Sequence, residues 1–164
     1  MVGNLPYSIG ALIIKKTLLY GSAIRSFTFM VQREVAERIV AKPHRKTNGF
    51  LSIFCQYFGA PKLLFHVPPG AFFPKPKVDS SVVRMVLNGE AEQRLRPEAW
   101  SGFFAFVSKG FGMRRKKLAK AVAADAGERE RCERILNGLG CDPFSRAEDL
   151  EVNEWVELFK QWRA

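Results

Sequence analysis

The run Asn4-Leu5-Pro6-Tyr7 brings together residue types that could bind and orient a flat ring carrying an amine. Asn4 offers an amide. Pro6 lacks an N–H and disfavours helical geometry at the residue before it, so the Leu5 carbonyl is presented outward instead of being recycled into a helix. Tyr7 adds an aromatic face. Together they make a compact receptor for an adenine amine. An Asn-X-Pro-aromatic run is also ordinary strand-to-turn punctuation, and the tetrapeptide alone does not choose between the two.

Other reactive residue types are sparse. Cys55, Cys132 and Cys141 are odd in number and show no metal-ligand spacing. They fit a reduced, cytoplasmic setting better than a disulfide framework. With only His44 and His66, a histidine-based metal site is not expected, and His66, inside an apolar strand-like run, reads as structural. No apolar run reaches membrane length, and the first residues do not form a signal peptide.

Charge is unevenly placed within the net +10: residues 1–120 carry 20 Lys and Arg against 6 Asp and Glu, and the rest 6 against 10. The densest cluster is Arg114-Arg115-Lys116-Lys117. Consecutive cations repel one another, which favours an external polyanion over a solvated surface. Lys75, Lys77 and the loop with Lys42, Arg45 and Lys46 could extend a phosphate-contacting track.

The elements that must position these groups follow from periodicity. Residues 8–20 read as a helix with Ile9, Leu12, Ile13 and Leu19 close to one face, ended by Gly21. Residues 27–31 suit a strand buried on both faces, passing directly into a helix that carries Val35, Ala36, Ile39 and Val40. Residues 42–49 form a basic loop, and Phe50 to Phe58 a buried helix with Gly59 behind it. Strands are predicted at 63–67 and 81–87. Between them lie residues 68–80, PPGAFFPKPKVDS, whose four prolines exclude regular structure and stiffen the loop.

A boundary is placed near Asn88-Gly89-Glu90, which divides the chain into 1–89 and 90–164. Four helices are predicted beyond it. Trp100, Phe103, Phe104 and Val107 share the face of the first, and the second runs through Leu118 and Val122. The third covers Glu128 to about Leu139, and the fourth carries Val152, Trp155, Val156, Phe159 and Trp162 at helical spacing. Asp142-Pro143 reads as an N-cap and first-turn pair, and Ser145 to Glu148 has capping-box spacing. With 47% apolar residues and 14 phenylalanines, the chain reads as an α/β domain followed by a small all-α module.

Five ordered blocks together resemble the ribosomal RNA adenine dimethyltransferase family. They are Gly3-Asn4-Leu5-Pro6-Tyr7, FMVQREVAERIVA at 29–41, PPGAFFPKPKVDSSVVRM at 68–85, FGMRRKKLAK at 111–120 and GCDPFSRAEDL at 140–150. The KVDSSVVR stretch and the helical tail look more like the small-subunit enzymes than their large-subunit or mitochondrial relatives. The resemblance implies the C-terminal half of a Rossmann-like, S-adenosylmethionine-dependent methyltransferase domain in residues 1–89, then an RNA-contacting helical domain in 90–164. Its implied activity is transfer of methyl groups to the exocyclic amines of two adjacent adenines in small-subunit ribosomal RNA or a pre-ribosomal particle.

By the same resemblance, Asn4, Leu5, Pro6, Tyr7 and Phe72 are the catalytic set. Asn4 also touches the cofactor, and Phe72 faces Tyr7 across the base. Phe73 departs from the small polar residue expected there, which leaves two rings as candidates for stacking. Glu34 and Glu37 read as a solvated helix face, and Asp79 as ordering its own loop.

A complete enzyme of this type needs a glycine-rich turn after its first strand and an acidic residue for the ribose hydroxyls. Neither is in the sequence: Gly110-Phe111-Gly112 and Gly138-Leu139-Gly140 do not follow strands. The cofactor-binding first half is therefore expected to be absent. The chain alone is expected to bind S-adenosylmethionine poorly and to expose a sheet edge prone to association. Two rival readings remain: a non-catalytic RNA-binding or ribosome-assembly module, and a fragment of a DNA adenine methyltransferase, against which the 68–85 and 111–120 blocks argue.

Overall fold

A strand–helix–strand unit opens the molecule: β1 (Val2–Asn4), α1 (Gly10–Tyr20) and β2 (Ser26–Gln32), with β1 and β2 parallel. The computed structural model describes residues 1–20, 24–87 and 89–164. Two sequence expectations, Gly21 as a helix end and Asn88 as part of a boundary, lie outside the described residues.

The face that α1 buries differs from the one predicted. Gly10, Ile14 and Leu18 are buried, while Ile9 and Leu12 are exposed. The helix begins two residues later than periodicity suggested, after a turn in which the Ile9 N–H donates to the Pro6 carbonyl at 3.2 Å. Apolar residues occur as neighbours here (Ile13 with Ile14, Leu18 with Leu19), so the pattern did not select one stripe.

Strand β2 is likewise not buried on both faces. Phe27, Phe29 and Val31 are buried, whereas Ser26, Thr28, Met30 and Gln32 are partly exposed, the period-2 alternation of a strand with one covered face. The chain then turns directly into α2 (Arg33–Ile39), crosses the loop of residues 40–49 and forms α3 (Phe50–Phe58).

Strand β3 (Gly59–Val67) starts at Gly59, four residues before the predicted strand. Gly59 is both the cap of α3 and the first residue of the strand, and a Cβ there would sit 2.2 Å from the Val86 carbonyl oxygen. Pro61 is tolerated because β3 is an edge strand whose one neighbour is β4 (Ser80–Leu87). The sheet order is β1-β2-β4-β3, with β4 antiparallel to both neighbours. His66 donates to or accepts from the Ser81 hydroxyl at 2.8 Å on this edge.

Helices α4 (Ala91–Arg94), α5 (Pro97–Gly112), α6 (Leu118–Val122), α7 (Ala126–Gly138) and α8 (Val152–Arg163) complete the chain. Aromatic rings carry one core from the sheet side into these helices. Phe54 and Phe104 lie 4.5 Å apart, Phe58 and Trp100 5.0 Å, and Phe103 and Phe159 5.5 Å. Each buried ring stabilises the fold by about 1.5–3 kcal/mol relative to exposure. Tyr57, fully buried, satisfies its hydroxyl by donating to the Ala91 carbonyl at 2.8 Å.

The helix expected to start at Asp142-Pro143 does not form. Asp142 instead accepts the Phe144 N–H at 2.8 Å, closing a local turn that competes with helix entry. Capping-box geometry occurs one residue later than predicted, where the Arg146 N–H donates to Asp149 ahead of a short 3-10 turn, Ala147–Asp149.

Candidate active-site cleft

Asn4 ends β1, and the Leu5 N–H extends the ladder by donating to the Met30 carbonyl at 3.1 Å. The buried Leu5 side chain is the anchor of the turn. Gly3 and Gly10 both lie against it: a Cβ on Gly3 would meet Leu5 Cδ2 at 3.2 Å, and one on Gly10 would meet Leu5 Cβ at 3.5 Å. With Leu5 pinned, Asn4, Pro6 and Tyr7 are left facing outward and exposed.

Opposite stands the proline-rich loop. A 3-10 turn at Pro69–Ala71 hands over to an extended Phe72, which is partly buried, while Phe73 is fully exposed. Asp79 does not order the loop through its own backbone alone. Its carbonyl accepts the Arg33 N–H at 2.9 Å and its carboxylate lies 3.7 Å from the Arg33 guanidinium, which ties the loop to the start of α2.

Between the turn and the loop lies a cleft of about 320 Å³, lined by Asn4, Leu5, Pro6, Tyr7, Phe72, Phe73, Pro74 and Pro76. The five residues named from sequence as a catalytic set therefore share one cavity, and Phe73 lines it as well. Sequence reasoning missed Ser80, the fully buried first residue of β4, whose hydroxyl meets the Tyr7 hydroxyl at 2.5 Å. Tyr7 is 38% exposed, so the ring is open to the cleft while its far end is held.

The basic residues are placed elsewhere. Lys75 is exposed on the cleft loop, but Lys77 faces a neighbouring groove with Arg33, Glu34, Glu37 and Asp79. Glu34 pairs with Arg38, and Glu37 with Arg33 at 2.8 Å, along the exposed face of α2. Arg114 is engaged within the fold: its guanidinium donates to the carbonyls of Lys46 and Asn48 at 2.6 and 2.9 Å and to Glu148 at 3.2 Å. That clamp brings the loop with Lys42, Arg45 and Lys46 beside the loop with Arg115, Lys116 and Lys117, all of them exposed.

The family model for ribosomal RNA adenine dimethylase matches residues 1–163. The chain belongs to the ribosomal RNA adenine dimethylase family. It is 38% identical over 158 residues to a ribosomal RNA small subunit methyltransferase A from Clostridium botulinum (strain Okra / Type B1), covering 96% of this chain and 57% of that protein. It is 40% identical over 159 residues to the protein of the same name from Xanthomonas campestris pv. campestris (strain B100), covering 96% and 58%. In these comparisons the chain spans little more than half the length of the dimethylase-family relatives. A crystal structure of a dimethyladenosine transferase from Plasmodium falciparum superposes with a TM-score of 0.83 at 20% identity, over 99% of this chain and 66% of that one. The architecture is that of the C-terminal half of the Rossmann-like dimethylase fold followed by its helical part. Within that half, the cleft lies at the C-terminal end of β1, where open α/β sheets place ligands.

Proposed function

We propose that this chain supplies the base-holding half of an enzyme that methylates the exocyclic amines of two adjacent adenines in small-subunit ribosomal RNA. In this reading residues 1–89 are the partial catalytic domain and 90–164 the RNA-contacting domain. The observation that carries the proposal is the cleft in which Asn4, Leu5 and Pro6 meet Tyr7 and Phe72.

The chemistry suits those groups. An adenine amine is a weak nucleophile because its lone pair is delocalised into the ring. Acceptors on its two hydrogens, the Asn4 amide oxygen and the Leu5 carbonyl, favour the localised, tetrahedral form and aim the lone pair. Tyr7 and Phe72 hold the everted base by stacking, worth about 1–3 kcal/mol per base. After methylation the nitrogen is acidic and loses its proton to water, so no general base is required.

The residues present fit S-adenosylmethionine at one end only. Asn4, exposed at the end of β1, is the polar group beside the base site, whereas the described residues hold no glycine-rich strand–turn–helix for the rest. When bound, the cofactor supplies an electrophilic methyl group. Isothermal titration of the chain with S-adenosylmethionine is expected to give no micromolar binding.

The decisive experiment joins this chain to the N-terminal half of the Xanthomonas relative and follows transfer of labelled methyl groups to small-subunit RNA. Asn4→Ala and Tyr7→Ala are each expected to cut turnover by about 10²-fold or more, with RNA affinity nearly constant for Asn4→Ala and lowered by no more than the lost stacking for Tyr7→Ala. Parental turnover in both variants overturns the proposal. The exposed basic loops around Arg114 also favour cofactor-independent RNA binding that weakens with salt. Absence of RNA binding by the chain at low salt removes that part.

A further inference from the structure

Phe144 is out of place for a phenylalanine. It is 56% exposed, and among the described residues it joins none of the ring–ring contacts that knit the core. Its turn is nevertheless held by hydrogen bonds. The Asp142 carboxylate accepts the Phe144 N–H at 2.8 Å, and the Ser145 N–H returns to the Asp142 carbonyl at 2.9 Å. The Ser145 carbonyl in turn accepts the Leu118 N–H at 2.8 Å. That last bond fixes the turn beside the basic loop, and the Lys117 ammonium stands 3.6 Å from the centroid of the ring.

The acids of this surface are engaged within the fold, one of them by a guanidinium. Glu148 pairs with Arg114 at 3.2 Å, Asp149 with His44 at 3.1 Å and with the Arg146 N–H, and Asp142 with its own turn. Arg115, Lys116 and Lys117 stay exposed around the ring's loop. A lone aromatic ring is too small a patch for the apolar core of a protein interface. A ring set among cations suits a polyanion with flat, stackable faces. In a duplex those faces are already stacked on one another, so the fitting partner is unpaired.

We propose that Phe144 is a stacking platform for an unpaired nucleobase of RNA, with Arg115, Lys116 and Lys117 taking the flanking phosphates. This site is separate from the cleft at Tyr7, and it rests on the reading of the basic loops as an RNA-contacting surface. Lys117 has two roles: it caps one side of the ring and offers its charge to the strand. The solvent side of the ring receives the base.

The test uses the chain itself with two probes, a short single-stranded oligoadenylate carrying one 2-aminopurine and a blunt RNA duplex. The parent is expected to bind the single strand and quench 2-aminopurine. Phe144→Ala should weaken single-strand binding about 5- to 100-fold and reduce the quench to what the cleft at Tyr7 supplies, leaving duplex affinity and the salt slope unchanged. Phe144→Trp should restore both signals, and melting temperatures should match because the ring is exposed. Equal losses on both probes, or no loss on either, overturn the stacking site alone. Failure of the parent to bind either probe at low salt overturns the RNA-contacting surface with it. A Phe144→Ala chain that keeps its RNA affinity yet no longer co-sediments with protein-containing small subunits assigns the ring to a protein, which also overturns the proposal.

Discussion

The hydroxyl of Tyr7 lies 2.5 Å from the hydroxyl of Ser80, a residue 73 positions away and fully buried at the start of β4. This bond joins the two walls of the cleft, because Ser80 also ends the proline-rich loop that carries Phe72. Tyr7 is anchored at its polar end and open to the cleft, the arrangement a stacking ring requires.

Ser80→Ala should leave the cleft intact but release the Tyr7 ring. The stability loss is expected to be about 0.5–1.5 kcal/mol, the net worth of one hydrogen bond. In the joined enzyme described above, kcat should fall about tenfold with little change in KM for RNA, since only orientation at the reacting base is lost. Ser80→Thr, which keeps the hydroxyl, should recover most of the rate. A Ser80→Ala enzyme with parental kcat sinks the positioning role.

Arg114 and its neighbours should separate cleanly. Arg114→Ala leaves two carbonyls and Glu148 without their donor, and a loss of about 1 kcal/mol is expected after allowing for its partial exposure. Arg115→Ala and Lys116→Ala, at side chains that are exposed and without such partners among the described residues, should leave urea midpoints within about 0.5 kcal/mol. Each should instead lower the salt slope of RNA binding by about one. Identical behaviour of all three variants contradicts this division.

Two glycines set different limits on packing. At Gly110 a Cβ would lie 2.5 Å from Trp155 Cη2 and 2.9 Å from Leu118 Cδ1, both on fully buried side chains, so Gly110→Ala should cost about 1–3 kcal/mol. At Gly59 the obstacle is the Val86 carbonyl oxygen at 2.2 Å, which is backbone and cannot rotate away. Gly59→Ala should therefore be the worse of the two, with a larger drop in melting temperature or loss of soluble protein. The reverse order argues against the close β3–β4 approach at Gly59.

Alkaline pH should destabilise the fold. Burial pushes the Cys55 thiol well above its ordinary 9.0, and raises Cys132 to about 12, Cys141 to about 11 and the Tyr57 phenol from 10.0 to about 12. The unfolded chain then releases protons from pH 9 upward while the folded chain holds them. The stability present below pH 9 is lost as pH rises toward 12, at about 1.4 kcal/mol per pH unit for a fully engaged buried group and less for the partly exposed Cys141. Urea midpoints measured from neutral to strongly alkaline pH check the sign, and a midpoint that stays constant across that range refutes it. The same burial should make the Cys55 and Cys132 thiols slow to alkylate in the native state.

Sequence alone determined what is local or repeats with a short period. The turn at Asn4 to Tyr7, the buried helix Phe50–Phe58 and the helix from Val152 follow from proline geometry and apolar spacing, and the ordered motif blocks point to the dimethylase family. Where apolar residues come in adjacent pairs, as in α1, periodicity could not say which stripe turns inward. Nor could it tell that Asp142 closes a turn instead of starting a helix, since the same carboxylate serves either end.

Tertiary structure decided the partnerships. Antiparallel pairing of β2 with β4 sets Gln32 opposite Ser80, which carries Ser80 to the neighbourhood of Tyr7. Loop packing turned Arg114 from one of four equivalent cations into a clamp, and left Phe144 outside the core with Lys117 above it. Such contacts join residues far apart in the chain, so they depend on sheet register and helix crossing. Neither quantity is encoded in the composition of any single segment.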